Sequence, residues 1–391
     1  MGLRRIGITW PPTDNHGWGV FGLNLALNLI RNGPTAPVLL AEPRLFGASD
    51  ETVAMLAPFV EEGIQLIAKI ESGGGQAMIE GATLFHALSN NFYHLDLSNK
   101  VRGYHNVGFV FFENADIDAS ALERARQWDR VLVGSSWNRE VCHDAGLHDV
   151  IFVSQGIDTD YFQPPPLSDE PRQRFVIFSG GKLELRKGQD IVLEAFRHFH
   201  ERHPDSLLIT SWQNHWPQTT ETLMESPYIS SLPAVDEEGK LGIVDWAAAH
   251  GIKPESIVDT GWVPNAWLPK LFSQTDVALF PNRCEGGTNL AAMEAMACGV
   301  PCILSANTGH LDLIDEGNCY VLQDQKPGNF TSDPGRHWRN SSVEEILEKL
   351  EIAYQNAEDR MQRGDMGAKF MQQLSWKNQV AKIVTAVEDL L

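Results

Sequence analysis

Short apolar runs of strand length alternate with amphipathic helical patterns along almost the whole chain, and this alternation is what most limits the fold. In the first half "RRIGITW", "APVLLAE", "GATLFHAL", "VGFVFFE", "RVLVGSS" and "DVIFVSQG" read as strands; in the second "RFVIFSGG", "SLLITSW", "SIVDTGWV", "DVALFPN" and "PCILSAN" do the same. Segments such as "GLNLALNLIRNG" and "GQDIVLEAFRHFHERHP" lie between them with helical spacing. Parallel strands need crossover helices, so the pattern predicts parallel sheets covered on both faces, and runs as apolar as "FVIF" fit that burial. The two series part at "GIDTDYFQPPPLSDEPRQR", whose three prolines and acidic flank make an extended linker.

The expected fold is therefore α/β, with two Rossmann-like doubly wound domains. The first spans residues 1–168 and the second 169–373, with a last helical pattern at about 374–391. A chain of 391 residues suffices for two such cores. Glu221–Lys240, with weak periodicity, reads as a surface excursion, and "DQKPGNFTSDPGRHWRN" as an irregular loop. Doubly wound sheets bind ligands outside the carboxyl ends of their strands, so the crevice between the domains is the default site.

Charge excludes several partners. Residues 1–168 hold 11 basic and 19 acidic side chains (−8), and residues 169–391 hold 20 and 32 (−12), together the net −20. Neither half is a basic sheath for nucleic acid or a polybasic anchor. The apolar runs are too short to span a bilayer, and "MGLRRIGITWPP" reads as a first strand, so a cytoplasmic location is expected; peripheral membrane contact stays open. Cys142, Cys284, Cys298, Cys302 and Cys319 form no C-x-x-C pair, which argues against zinc and against a disulfide framework.

"HGWGVFG" contains a literal G-x-G-x-x-G at Gly17, Gly19 and Gly22, and Glu42 follows twenty residues later. That is the outline of a dinucleotide fingerprint. In a real one the first glycine lies in a tight turn at the strand end. Here "PPTDNH" intervenes after "GITW", so the turn is not tight and the NAD reading is set aside.

The most specific region is Asp276–Ile314. A strand ends near Pro281, a loop carries Glu285, Gly286 and Gly287, and a helix begins near Thr288 or Asn289. Bare glycine amides at a helix N-terminus suit an anion, typically a phosphate. Glu294 is the one ionisable group on that apolar helix, a costly position unless something donates hydrogen bonds to it, as a ribose diol would. A second region, "FSGGKLELRKGQDIVLEAF", follows a strand with Gly180 and Gly181 and then presents Lys182 and Lys187, cations suited to a pyrophosphate leaving group. No G-K-[ST] occurs, which excludes a kinase-type P-loop.

On these residues the chain resembles the retaining nucleotide-sugar glycosyltransferases of GT-B fold (group 1, family 4-like). Their hallmark is two glutamates with seven residues between, as in "EGFGLxxLEAMACGxP". Here "EGGTNLAAMEAMACGVP" matches from Leu290 to Pro301 but has eight residues between Glu285 and Glu294. Gly286 falls where the first glutamate should be, and Glu285 reaches the sugar only through a loop one residue longer. Lys182 stands where arginine is usual, keeping the charge without the fork.

The resemblance implies several roles. Glu294 binds ribose hydroxyls; the amides of Gly286, Gly287, Thr288, Asn289 and Leu290 meet sugar and diphosphate; Val263 or Trp262 packs on the base. Gly17 and Gly19 face the donor phosphate, and "LSWKNQVAKIV" resembles the family's closing helix, which implies that the helix at about 374–391 crosses back to complete the first domain. The histidine often found at the end of a first-domain strand is absent, so Glu113, at the end of "NVGFVFFEN", is the candidate to meet sugar or acceptor, with His105 and His16 as further candidates. The implied reaction moves a sugar from a nucleotide diphosphate sugar to an acceptor hydroxyl with retention, in glycan biosynthesis, using no cofactor or metal because the lysines supply the charge. The acceptor, whether glycan, lipid-linked sugar, peptide or small molecule, stays open. So do two other readings of the frame, a sugar-nucleotide epimerase or hydrolase and a non-catalytic binding subunit.

Overall fold

The computed structural model describes residues 4–73, 76–166 and 173–391; the expected boundary near residue 168 lies outside them. The first sheet has six parallel strands in the order β2-β1-β3-β4-β5-β6: Val38–Leu39, Arg5–Ile8, Ala77–Leu88, Val101–Val110, Arg130–Val133 and Val150–Phe152. The second has the order β12-β11-β10-β7-β8-β9: Tyr320–Leu322, Cys302–Ser305, Val277–Phe280, Phe175–Gly180, Ser206–Ser211 and Ile257–Asp259, again all parallel. Every residue of β7 is buried, as its unbroken apolar run requires.

Three readings need correction. β4 begins at Val101, so His105 lies within it rather than before it, and the strand stops at Val110, short of Glu113. The stretch after Pro217 is not a loose excursion: a 3₁₀ segment Pro217–Glu225 carries Leu223, which with Ile229 is buried in the second core. The irregular loop contains an antiparallel pair, Gln325–Pro327 with Arg339–Ser341, β13 and β14.

The closing helix Trp376–Ala386 returns to the first lobe, where Trp376, Val380 and Ile383 pack among Ile6, Ile8, Phe21 and Leu25. Its start is tied to the chain leaving the first sheet, since Ile157 N–H donates to the Leu374 carbonyl (2.9 Å) and Trp376 N–H to the Ile157 carbonyl (3.0 Å). Among the described residues no helix is long and apolar enough to cross a membrane.

The carboxyl ends of the two sheets face each other and are closed to side-chain contact. After β1, His16 approaches Trp216 after β8, ring centroids 6.2 Å apart. After β2, Gly47 approaches Pro264 after β9. After β5, Ser135 donates to the Gly286 carbonyl after β10 (2.8 Å).

Candidate active site in the interlobe crevice

β7 delivers the chain to a turn at Gly181, whose φ of +116° a side chain would strain, and the next helix starts after Gly188, φ +74°. A Cβ on Gly188 would lie 2.4 Å from the Pro281 carbonyl, so the turn is pressed onto the end of β10. Between the two glycines stand three cations. Lys182 Nζ lies 3.1 Å from Glu184 and 5.8 Å from the centre of the Trp216 ring. Lys187 Nζ lies 2.6 Å from Glu285 Oε1.

Arg186, which the sequence did not single out, is the hub. Its guanidinium is 4% exposed and meets Glu184 (2.7 Å), Glu285 (3.2 Å) and, across the crevice, Glu113 (2.7 Å), with a further bond to the Cys284 carbonyl (2.7 Å). Burial lowers its proton affinity, but Glu113, Glu184 and Glu285 outweigh this and hold it charged.

Glu285 therefore does not point into open space. It accepts from Lys187, Arg186 and the Asn282 amide. Burial pushes its carboxyl up, yet Lys187 and then Arg186 pull harder, and it settles at about 2. The pattern's own first-glutamate position cannot hold a side chain here. A Cβ on Gly286 would sit 2.5 Å from the Phe112 carbonyl and 2.6 Å from that of Phe111, main chain of the opposite lobe. Gly287 is flanked by Gln155 and Phe111, and a Cβ on Gly309 would strike the Gly287 carbonyl at 1.7 Å.

The loop then opens the helix Leu290–Ala297, with Asn289 at its cap. Among the described residues, none of the main-chain N–H groups from Gly286 to Leu290 donates to another residue. Those of Asn289 and Leu290 are orphan donors of the helix start, and the loop before them follows Glu285, the partner of Lys187. The Thr288 hydroxyl is occupied, donating to Met293 Sδ (3.0 Å). Asn289 is held by His310 (3.1 Å), which burial brings down to about 4 and keeps neutral. One turn on, Glu294 is buried and has no hydrogen-bond or ion-pair partner among the described residues; burial alone pushes it up to about 8. Glu285 and Glu294 are thus opposites, one fully paired and one vacant.

On the first lobe, His16 caps the helix Gly17–Asn32 by accepting from Gly19 N–H (3.3 Å), and burial, then His215 and Arg44, lower its proton affinity. Gly17 is open to the crevice, but Gly19 and Gly22 serve packing. A Cβ on Gly19 would meet Thr13 Cγ2 at 1.7 Å and one on Gly22 the Trp10 ring nitrogen at 2.5 Å. This corrects the assignment of Gly19 to phosphate contact, since its N–H is already taken by the His16 ring. His105 is also corrected. It sits mid-strand against Asp129 (3.4 Å), five residues before the carboxyl end of β4, and cannot reach the crevice. Val263 is half-buried against the second core, while Trp262 stacks on His215 (3.8 Å, 21°), so the tryptophan is the exposed ring at the mouth. Gly180, at the end of β7, lies 2.8 Å from Phe178 through the position of its absent Cβ, again a packing glycine.

Comparison with known proteins agrees with this fold. A family model described as "Glycosyl transferases group 1" matches residues 165–370. The chain is 26% identical over 217 residues to a GDP-mannose-dependent alpha-(1-6)-phosphatidylinositol monomannoside mannosyltransferase of Mycolicibacterium smegmatis. That match covers 47% of this chain and spans half the length of the relative. Among solved structures, sucrose-phosphate synthase from Thermosynechococcus elongatus superposes with a TM-score of 0.64 at 16% identity over 99% of both chains. Anabaena HepE, solved with UDP and glucose, does so with a TM-score of 0.61 at 12% identity, covering 99% of this chain and 100% of its own. Both share the two-lobed GT-B fold. With more than half of its length matched, the chain belongs to the glycosyl transferases group 1 family.

Proposed function

We propose that this protein transfers a sugar from a nucleotide diphosphate sugar to an acceptor hydroxyl, with retention of configuration. The observation that carries the reading is Glu294: a buried carboxyl group without a partner among the described residues, one turn beyond a row of N–H groups that donate to no other residue. A ribose diol donating to Glu294 would remove the cost of its burial, and it would place the diphosphate at the helix N-terminus. Lys182, Lys187 and Arg186 then stabilise charge as the glycosidic bond breaks, the work a metal ion does elsewhere, so transfer should survive a chelator. Closure of the lobes excludes the water that would hydrolyse the donor. Glu113, on the acceptor lobe, faces the reacting centre, and the acceptor enters from that side.

Five buried thiols, with no disulfide among the described residues, support a reducing, cytoplasmic setting for glycan biosynthesis. The mycobacterial relative is named for GDP-mannose and HepE was solved with UDP, so both bases belong in the test. Thermal shift with a panel of UDP- and GDP-sugars should show one that stabilises the fold, and that donor should be consumed only when an acceptor is added. Stabilisation without turnover would favour a binding subunit. Turnover without an acceptor would favour an epimerase or hydrolase.

A further inference from the structure

The closed crevice contains a charge balance that a donor must upset. Lys182, Arg186 and Lys187 face Glu113, Glu184 and Glu285, three against three. The diphosphate of a nucleotide sugar brings two further negative charges to this cluster, so a carboxylate has to leave or the bound state carries uncompensated repulsion. The three carboxylates are not equally held. Glu285 is 7% exposed and contacts two cations, and Glu184 is 10% exposed and also contacts two. Glu113 is 34% exposed, has Arg186 as its one side-chain partner among the described residues, and belongs to the other lobe.

We propose that the Glu113–Arg186 pair is a latch between the lobes that the donor's diphosphate displaces. This rests on the donor reading above. In the empty protein Glu113 holds the crevice shut by closing on Arg186. When the diphosphate arrives, its oxygens take over the positive charge of Arg186 and Lys187. Glu113 swings toward solvent on its own lobe, on the side where the acceptor hydroxyl enters. Donor then binds before acceptor, because the carboxylate that faces the acceptor is released only by the donor. No covalent bond is made or broken in the exchange, and each charge keeps a partner or water.

The latch costs affinity, so removing its negative end should tighten donor binding while impairing transfer. A residue that merely braced the fold would do neither. UDP and GDP are titrated calorimetrically into the full chain and into Glu113→Gln, with melting temperatures recorded for both proteins. The nucleotide that binds should bind the variant about five- to tenfold tighter, the order expected when one like charge is removed from a partly screened site. Its transfer kcat should fall. Ser135→Ala, which removes the neutral cross-lobe bond to Gly286, should tighten binding far less. Unchanged or weaker nucleotide affinity in Glu113→Gln overturns the latch, as does equal tightening in Ser135→Ala, which would mean simple loosening of the lobes. If neither nucleotide binds the unaltered protein, the functional reading itself fails and the latch with it.

Discussion

Glu285 and Glu294 lie on one continuous loop and helix, yet the first is held at about 2 by Lys187 and Arg186 and the second is pushed up to about 8 by burial alone. One carboxylate is spent inside the protein; the other is left for something that is not part of it. The contrast yields predictions of opposite sign.

Glu294 in the empty protein prefers its proton. Its folded value is raised above the ordinary 4.5, so the fold is favoured fully below about pH 4.5 and loses that contribution as pH rises through 8. Glu294→Gln cannot titrate. Its melting temperature relative to the unaltered protein should climb between pH 5 and pH 9, while affinity for a nucleotide sugar drops by about tenfold with the loss of an ionised acceptor. A variant that neither gains at high pH nor loses affinity would make Glu294 an ordinary buried side chain.

Glu285 behaves the other way. Its value is depressed, so its stabilisation is complete above about pH 4.5 and is lost as pH falls toward 2. Glu285→Gln leaves Lys187 and Arg186 short of a partner in a buried site and should cost about 3–5 kcal/mol at pH 7. The melting gap between variant and unaltered protein should hold near neutral pH and narrow as pH falls below about 4.5 toward 2; a gap that stays constant there would show that charge is not its contribution.

Gly286→Ala tests the approach of the lobes. The new Cβ would lie 2.5 Å from the Phe112 carbonyl, where neither backbone can yield cheaply. The crevice should open, seen as a larger radius of gyration in solution scattering, with stability lower by about 1–3 kcal/mol. An unchanged radius with full stability would mean the contact is loose.

Lys187→Ala should lower kcat by about 10²–10³-fold, the size of effect found when one preorganised donor to a developing anion is removed. Substrate affinity should change less than turnover. Activity within a few-fold of normal would contradict charge stabilisation by this lysine.

The repeating strand–helix order was readable because buried parallel strands must be apolar throughout, and β7 and β10 are. The loop Glu285–Asn289 was readable too, since glycines before an apolar helix have few other uses. Arg186 was not, because nothing in "KLELRKG" tells which cation turns inward; that depends on Glu113, seventy-three positions earlier and on the other lobe. His105 was misplaced because β4 starts with "VRGYH", polar enough to pass for a loop, and is recruited by pairing with β3. Leu223 and Ile229 were hidden for a similar reason: the short 3₁₀ segment Pro217–Glu225 repeats every three residues and not 3.6, and Ile229 lies in the irregular chain after it, yet both side chains complete the second core. Gly19 looked like a phosphate glycine, and only the position of Thr13 shows what excludes a side chain there.

The grip of the second lobe on a pyrophosphate is tested most directly by the crystal structure of the protein with a bound nucleoside diphosphate. The phosphates should lie within hydrogen-bond reach of Lys187 and of the N–H groups from Gly287 to Leu290, with the ribose hydroxyls on Glu294. A nucleotide bound elsewhere, with Glu294 still unpartnered and both lysines still closed on Glu184 and Glu285, would contradict it.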